Sequence, residues 1–189
     1  MINPNRILGL WNEGYVMDFH TIASTYLGCD EFGHDRYETK RTELGELIYQ
    51  MKYNGHFDTT NDILELISPF LDQWIPNLNL DLIIPVPPTE RRTTQPVFLL
   101  SRKISGLYSI PYDENILIKT SSTASKNMQR GNKSIEGSIV INHTISNCKN
   151  ILIIDDLYST GSTSNECARV LRQNFNVKNI YFLAMTRTK

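Results

Sequence analysis

Cysteine is scarce: the 189-residue chain has three, Cys29, Cys148 and Cys167, far apart and with no C-x-x-C pair. An odd, scattered set argues against a disulfide framework and a structural zinc site, and suits a reducing, cytoplasmic setting. Cys167 falls in a helical segment that should bury it. Charge of one sign is missing as well, with Lys+Arg 19 against Asp+Glu 20 and a net charge of -1. That balance gives no generic surface for nucleic acid or anionic lipid, so nucleic acid is not an expected partner. No apolar run approaches the roughly 20 residues that cross a bilayer, and "MINPNRILGLWNEG" lacks a signal-peptide layout. A cytoplasmic protein without membrane contact is expected. The chain holds no internal repeat or low-complexity tract. It also lacks the Walker G-x-x-x-x-G-K-[ST] and the dinucleotide G-x-G-x-x-G. The histidines (His20, His34, His56, His143) share no metal-ligand spacing, and "CDEFGHD" fits no standard cation site.

What is present organises into two parts: residues 1–41, an N-terminal strand and turn segment, and residues 42–189, the core domain. "GLWNEGYVMDFHT" predicts a turn and then a strand with Tyr15, Met17 and Phe19 on one face. "CDEFGHDRYETK" reads as a polar turn around Gly33. Leu44, Leu47, Ile48 and Met51 recur at helical spacing, stopped at Asn54-Gly55. Ile63 to Trp74 carry a second helical stripe, with Thr60 as its cap and Pro69 as a kink risk. Trp11, Trp74 and Tyr26 are expected in the core. Beyond residue 80, "LDLIIPVPP", "NILIK", "GSIVIN", "NILIID" and "NIYFLAMT" read as strands. "TQPVFLLSRKISG", stopped by Gly106, and residues 164–174 read as helices; 120–136 read as a long exposed loop. Alternation of strand and helix implies a doubly wound, mostly parallel α/β sheet flanked by helices, with any small lobe coming from the N-terminal part.

The densest signal is "ILIIDDLYSTGST", Ile151 to Thr163. Ligands of open α/β sheets sit beyond the carboxyl ends of the strands, where Asp155 and Asp156 fall. The small, hydroxylated residues after them run into a helix start, with Thr163 and Glu166 spaced as a capping box. Backbone N–H groups there make an anion cradle suited to a phosphate. Carboxylates cannot bind that same phosphate; they suit sugar hydroxyls, or Mg²⁺ through water. Phosphate at one end and a diol at the other describe a ribose 5-phosphate. The competing reading is a buried strand followed by a polar turn and an ordinary helix cap.

The same string resembles the phosphoribosyl diphosphate motif of type I phosphoribosyltransferases, and the wider chain resembles their ComF-like group. "LGELIYQMKYNGHFD", "DLIIPVPPTERRTTQ", "STSNECARVL" and "AMTRTK" carry that wider similarity over about residues 42 to 189. Two departures stand out. The group's N-terminal zinc-binding cysteine module is absent, and its Arg/Asn loop before Gly-Ala-Phe is degenerate, reading "RGNKSIEGSI".

The resemblance implies the type I phosphoribosyltransferase fold, with 5-phosphoribosyl 1-diphosphate as donor, Mg²⁺ as cofactor, and an acceptor that is a base, ammonia or an amine. It puts Asp155 and Asp156 on the ribose hydroxyls, and on the metal indirectly, through substrate or water. Leu157, Tyr158, Ser159, Thr160, Gly161, Ser162 and Thr163 form the rest of the substrate loop, with the 5-phosphate at Ser159 to Thr163. Val86, Pro87 and Pro88, with Thr89, would face the diphosphate, unless they are only a proline-stiffened connection. Arg91 and Arg92 would neutralise diphosphate charge or face solvent. Arg130, Lys126 and Lys133 are the catalytic candidates on a loop that closes over the leaving group, against the reading of a solvated basic loop. Hypoxanthine-guanine salvage enzymes carry an aspartate base where Ser159 stands, and a serine hydroxyl cannot take that proton at neutral pH. A non-catalytic sensor of the same ligand is the rival function, and residues 1–41 are the candidate acceptor hood. A homodimer is compatible with the sequence, which leaves the oligomeric state open.

Overall fold

The computed structural model describes residues 2–89, 92–120, 137–146 and 148–189. In chain order its elements are β1 (Asn5–Arg6), β2 (Glu13–Phe19), β3 (Thr21–Cys29), β4 (Asp35–Arg41), α1 (Glu43–Tyr53) and α2 (Thr59–Trp74). A short 3₁₀ turn, Ile75–Leu78, leads to β5 (Leu82–Pro85) and α3 (Pro96–Tyr108). Then come β6 (Leu117–Lys119), β7 (Ile139–Ile141), β8 (Asn150–Tyr158), α4 (Ser162–Arg172) and β9 (Asn179–Arg187).

The central sheet is mixed, in the order β1-β2-β9-β8-β5. β2, β9, β8 and β5 run parallel, and β1 closes one edge antiparallel. The aliphatic runs of β5 and β8 are continuous rather than alternating because both faces are covered. On one face Ile83, Leu152, Ile154, Leu183 and Met185 pack with Leu44, Ile48, Ile63, Ile67 and Leu100 of α1, α2 and α3. On the other, Ile84, Ile151, Ile153, Ile180 and Phe182 meet α4, through Cys167, Ala168 and Leu171, together with Leu117 and Ile139. Cys167, Trp11 and Trp74 are core residues, as expected.

The N-terminal stretch 1–41 divides between two environments. β1 and β2 join the central sheet, with Val16 and Met17 on its opposite faces. β3 and β4 form a separate antiparallel hairpin, turning at Gly33 with φ +81° and pinned by the Asp30 carboxylate, which accepts from the backbones of Phe32 and His34. Tyr26, expected in the core, lies on this hairpin at 53% exposure, where its ring packs against Tyr37 across the ladder.

Other expectations are corrected. β6 and β7 pair with each other in a sheet of their own instead of extending the central one. Gly106 does not stop α3, which runs to Tyr108, whose hydroxyl donates to Asp72 (2.7 Å), and ends at Ser109 in the left-handed region. Thr60 is no cap: it sits inside the first turn of α2 and donates its hydroxyl to the Phe57 carbonyl. The second helical stripe itself holds, with α2 spanning Thr59–Trp74 and Pro69 inside it.

Candidate functional site

The site follows from unequal strand lengths. β5 ends at Pro85, opposite Ile154, and Val86 gives the last backbone bond to β8, its N–H donating to the Ile154 carbonyl (2.8 Å). Pro87 and Pro88 have no N–H to continue the ladder. β8 goes on, held by β9 through Asp155 beside Ala184 and Leu157 beside Thr186. Among the described residues, one side of β8 is therefore left without a partner strand where the acid pair sits. A cavity of about 340 Å³ opens there, walled by Asp155, Asp156 and Leu157 on one side and Val86, Pro87, Pro88 and Thr89 on the other. Thr163, Lys52, Tyr53, Arg92, Gln95 and Lys119 add to its polar lining.

Past Tyr158 the chain turns through Gly161, at φ +76°, straight into α4. A Cβ on Gly161 would stand 2.4 Å from the Tyr158 hydroxyl, so this position needs glycine for both backbone and space. The first helical bond runs from the Asn165 N–H to the Gly161 carbonyl (2.9 Å), which leaves the N–H groups of Ser162, Thr163 and Ser164 ahead of the helical ladder. The Thr160 and Ser162 hydroxyls are joined at 2.8 Å, and Ser159, Thr160 and Ser162 are exposed. The predicted capping box is absent. Gly161 is the cap, and the Glu166 carboxylate instead grips Arg169 (2.7 and 2.8 Å) and accepts from the Gly137 N–H (2.7 Å). Arg169 above all holds the Glu166 carboxyl below its usual range. The carboxylate that would have opposed a phosphate is thus neutralised within the fold.

Lys52 comes from the last turn of α1 and reaches both oxygens of Asp156, at 3.2 and 3.0 Å. The start of α1 is seated by a close approach: a Cβ on Gly45 would lie 2.1 Å from the His20 carbonyl oxygen, and Thr42 bonds both the Gly45 N–H and the Phe19 carbonyl. The Lys52 carbonyl in turn accepts from Arg92 (2.5 Å), whose guanidinium lies over the Tyr53 ring. Asp155 accepts from the Asp156 N–H (2.9 Å). Burial, then the neighbouring Asp156 charge, pushes the Asp155 carboxyl up to about 7. Lys119 donates to the Thr89 hydroxyl (2.5 Å), and burial pulls its ammonium down from the usual lysine range. Two adjacent acids facing Lys52, Arg92 and Lys119 across one crevice can bind a ligand that carries both hydroxyls and anionic groups.

No protein-family model matches the chain, and no curated protein does. Solved structures that match include adenine phosphoribosyltransferases. One, from Saccharomyces cerevisiae, is complexed with D-2,5-dideoxy-2,5-imino-altritol 1,6-bisphosphate and adenine; it has 15% identity over 87% of this chain and 85% of its own, with a TM-score of 0.44. Another, from Thermoanaerobacter pseudethanolicus, has 16% identity over 84% of this chain and 81% of its own, again with a TM-score of 0.44.

Among the residues expected at the site, Asp155, Asp156, Leu157, Thr163, Val86, Pro87 and Pro88 share the cavity wall. Ser159, Thr160, Gly161 and Ser162 continue from it toward α4 without lining it. The Tyr158 ring packs edge-on against Trp11 and beside Phe182, on the core side of the loop. Arg91, Lys126, Arg130 and Lys133 lie outside the described residues. Lys52 and Lys119 were not expected. Lys52 is about a hundred positions from Asp156 in sequence, and only the packing of α1 against the sheet brings the two together. Lys119 ends a short strand, and nothing in its local string places that strand over the proline loop.

Proposed function

We propose that the chain is a Mg²⁺-dependent phosphoribosyltransferase that takes 5-phosphoribosyl 1-diphosphate as donor, transfers the phosphoribosyl group to an unidentified base, ammonia or amine, and releases diphosphate. The observation that carries the proposal is the opening of the Asp155–Asp156 pair into a crevice whose opposite wall is the Val86–Thr89 loop. In this reading Asp156 and Asp155 accept hydrogen bonds from the ribose hydroxyls. The N–H groups of Ser162 to Ser164 and the neighbouring hydroxyls hold the 5-phosphate at the start of α4. The Val86–Thr89 turn, with Arg92 and Lys119 beside it, takes the diphosphate. Arg91, Arg130, Lys126 and Lys133 keep the roles that the family resemblance implies for them.

Departure of diphosphate from C1 leaves an oxocarbenium-like ribose, so the cations around the leaving group act where charge develops. Among the described residues no group of three or more His, Cys, Asp or Glu side chains could enclose a metal. The acid pair nonetheless offers hard oxygens that suit Mg²⁺ held through water and substrate. Bound in that way, Mg²⁺ supplies charge neutralisation to the departing diphosphate. Ser159 cannot serve as a proton acceptor at neutral pH, so the acceptor must arrive as a free amine or lose its proton elsewhere.

A second reading is favoured by the degenerate "RGNKSIEGSI" segment: a sensor that binds the same ligand without turnover. Diphosphate release separates the two. With donor and Mg²⁺, a panel of bases, ammonia and amines is expected to contain one that raises release well above donor hydrolysis. Binding without release across the panel selects the sensor.

A further inference from the structure

Lys52 lies on α1, about a hundred positions before the acid pair, yet its ammonium spans both oxygens of Asp156. The Lys52 side chain is 22% exposed and that of Asp156 13% exposed, so neither charge is free in bulk water. A ligand whose hydroxyls take the lone pairs that Lys52 now uses on Asp156 displaces the ammonium, which is then left in a partly desolvated crevice. A neutral diol offers that ammonium hydroxyl oxygens to donate to but no charge to pair with. A ligand with an anion beside its diol gives it a new partner, and the Val86–Thr89 loop and Arg92 line the same cavity.

Resting on the phosphoribosyl site proposed above, we infer that Lys52 is a specificity-determining residue that transfers its contact from Asp156 to the 1-diphosphate, so that the site discriminates the diphosphate-bearing donor from ribose 5-phosphate. Arg92 holds the Lys52 carbonyl and stacks on Tyr53, which fixes the backbone while the side chain changes partner.

The test compares two ligands that differ only at C1. Calorimetric affinities for 5-phosphoribosyl 1-diphosphate and ribose 5-phosphate are measured at one Mg²⁺ concentration for the wild type, Lys52→Gln and Lys52→Arg. The wild type should prefer the diphosphate. Lys52→Gln should cut the ratio of the two affinities by about tenfold to a hundredfold, the range for one hydrogen bond to a charged group, and Lys52→Arg should restore most of it. An equal loss for both ligands in Lys52→Gln would leave the ratio unchanged and overturn the inference. If Lys52→Gln does not fold, the wild-type Lys52 ammonium resonance, assigned by its loss in Lys52→Arg, decides. It should shift with saturating diphosphate donor and stay in place with ribose 5-phosphate; no shift with the donor overturns the inference. Failure of the wild type to bind either ligand is a separate outcome, and it removes the phosphoribosyl site itself.

Discussion

At the scale of single residues, the acid pair makes the sharpest predictions. Asp155 keeps its proton in the folded state up to about 7, against an ordinary value of 3.8, because burial and the Asp156 charge both disfavour a second carboxylate. The sign follows by linkage. A raised folded value gives a stability contribution that is complete below the ordinary value and is lost as pH rises through the folded one. Asp155→Asn cannot titrate, so its thermal midpoint should gain on that of the wild type between about pH 4 and about pH 8, as read by thermal unfolding across that window. A wild type that gains on the variant as pH rises would refute the assignment. Gly161 makes the second prediction. Its positive φ, and a Tyr158 hydroxyl that would stand 2.4 Å from an added methyl, should make Gly161→Ala destabilising. The backbone part alone is about 1–2 kcal/mol, measurable by denaturant unfolding.

At the scale of elements, α4 does two jobs: its N-terminus faces the proposed phosphate, and its body fastens the β6–β7 sheet. The fastening runs through Glu166, which accepts from the Gly137 N–H while Arg169 holds its charge. With the Glu166 carboxyl held below its ordinary value, its contribution is present above that value and fades as pH falls through the folded one. Glu166→Gln should therefore lose about 1–3 kcal/mol at neutral pH, with the two unfolding curves converging in acid. Much at this scale was legible in the sequence. α1 and α2 announced themselves by apolar spacing, and β5, β8 and β9 by aliphatic runs that only doubly covered strands need. The β3–β4 hairpin was not legible, because nearly every residue on both its faces is exposed and no period-2 alternation marks it. The length of α3 was missed because Tyr108, anchored to Asp72, outweighs the local cost of Gly106. The acid pair and the proline loop were readable as strings. Lys52 and Lys119 were not, since their place at the cavity depends on how separate elements pack.

At the scale of the whole molecule, stability is unevenly spread. β8 and β9 lie in the middle of the sheet with both faces covered, whereas the β3–β4 hairpin is a two-stranded unit with Ile22, Tyr26, Leu27, Phe32 and Tyr37 exposed. Two strands alone are marginal in water. Amide exchange should therefore be slowest in β8 and β9 and fastest in β3 and β4, and comparable protection in the hairpin would show that it is covered in solution. The proposed function sits at the rim of that stable centre, where β8 outlasts β5. Its most direct test is a calorimetric titration of 5-phosphoribosyl 1-diphosphate with Mg²⁺ into the wild type and into Asp156→Ala. Saturable binding is predicted in the wild type, with an affinity at least about tenfold lower in the variant, from the lost charged acceptor. Equal affinity in the two proteins, or no binding to the wild type, would contradict the assignment of the site.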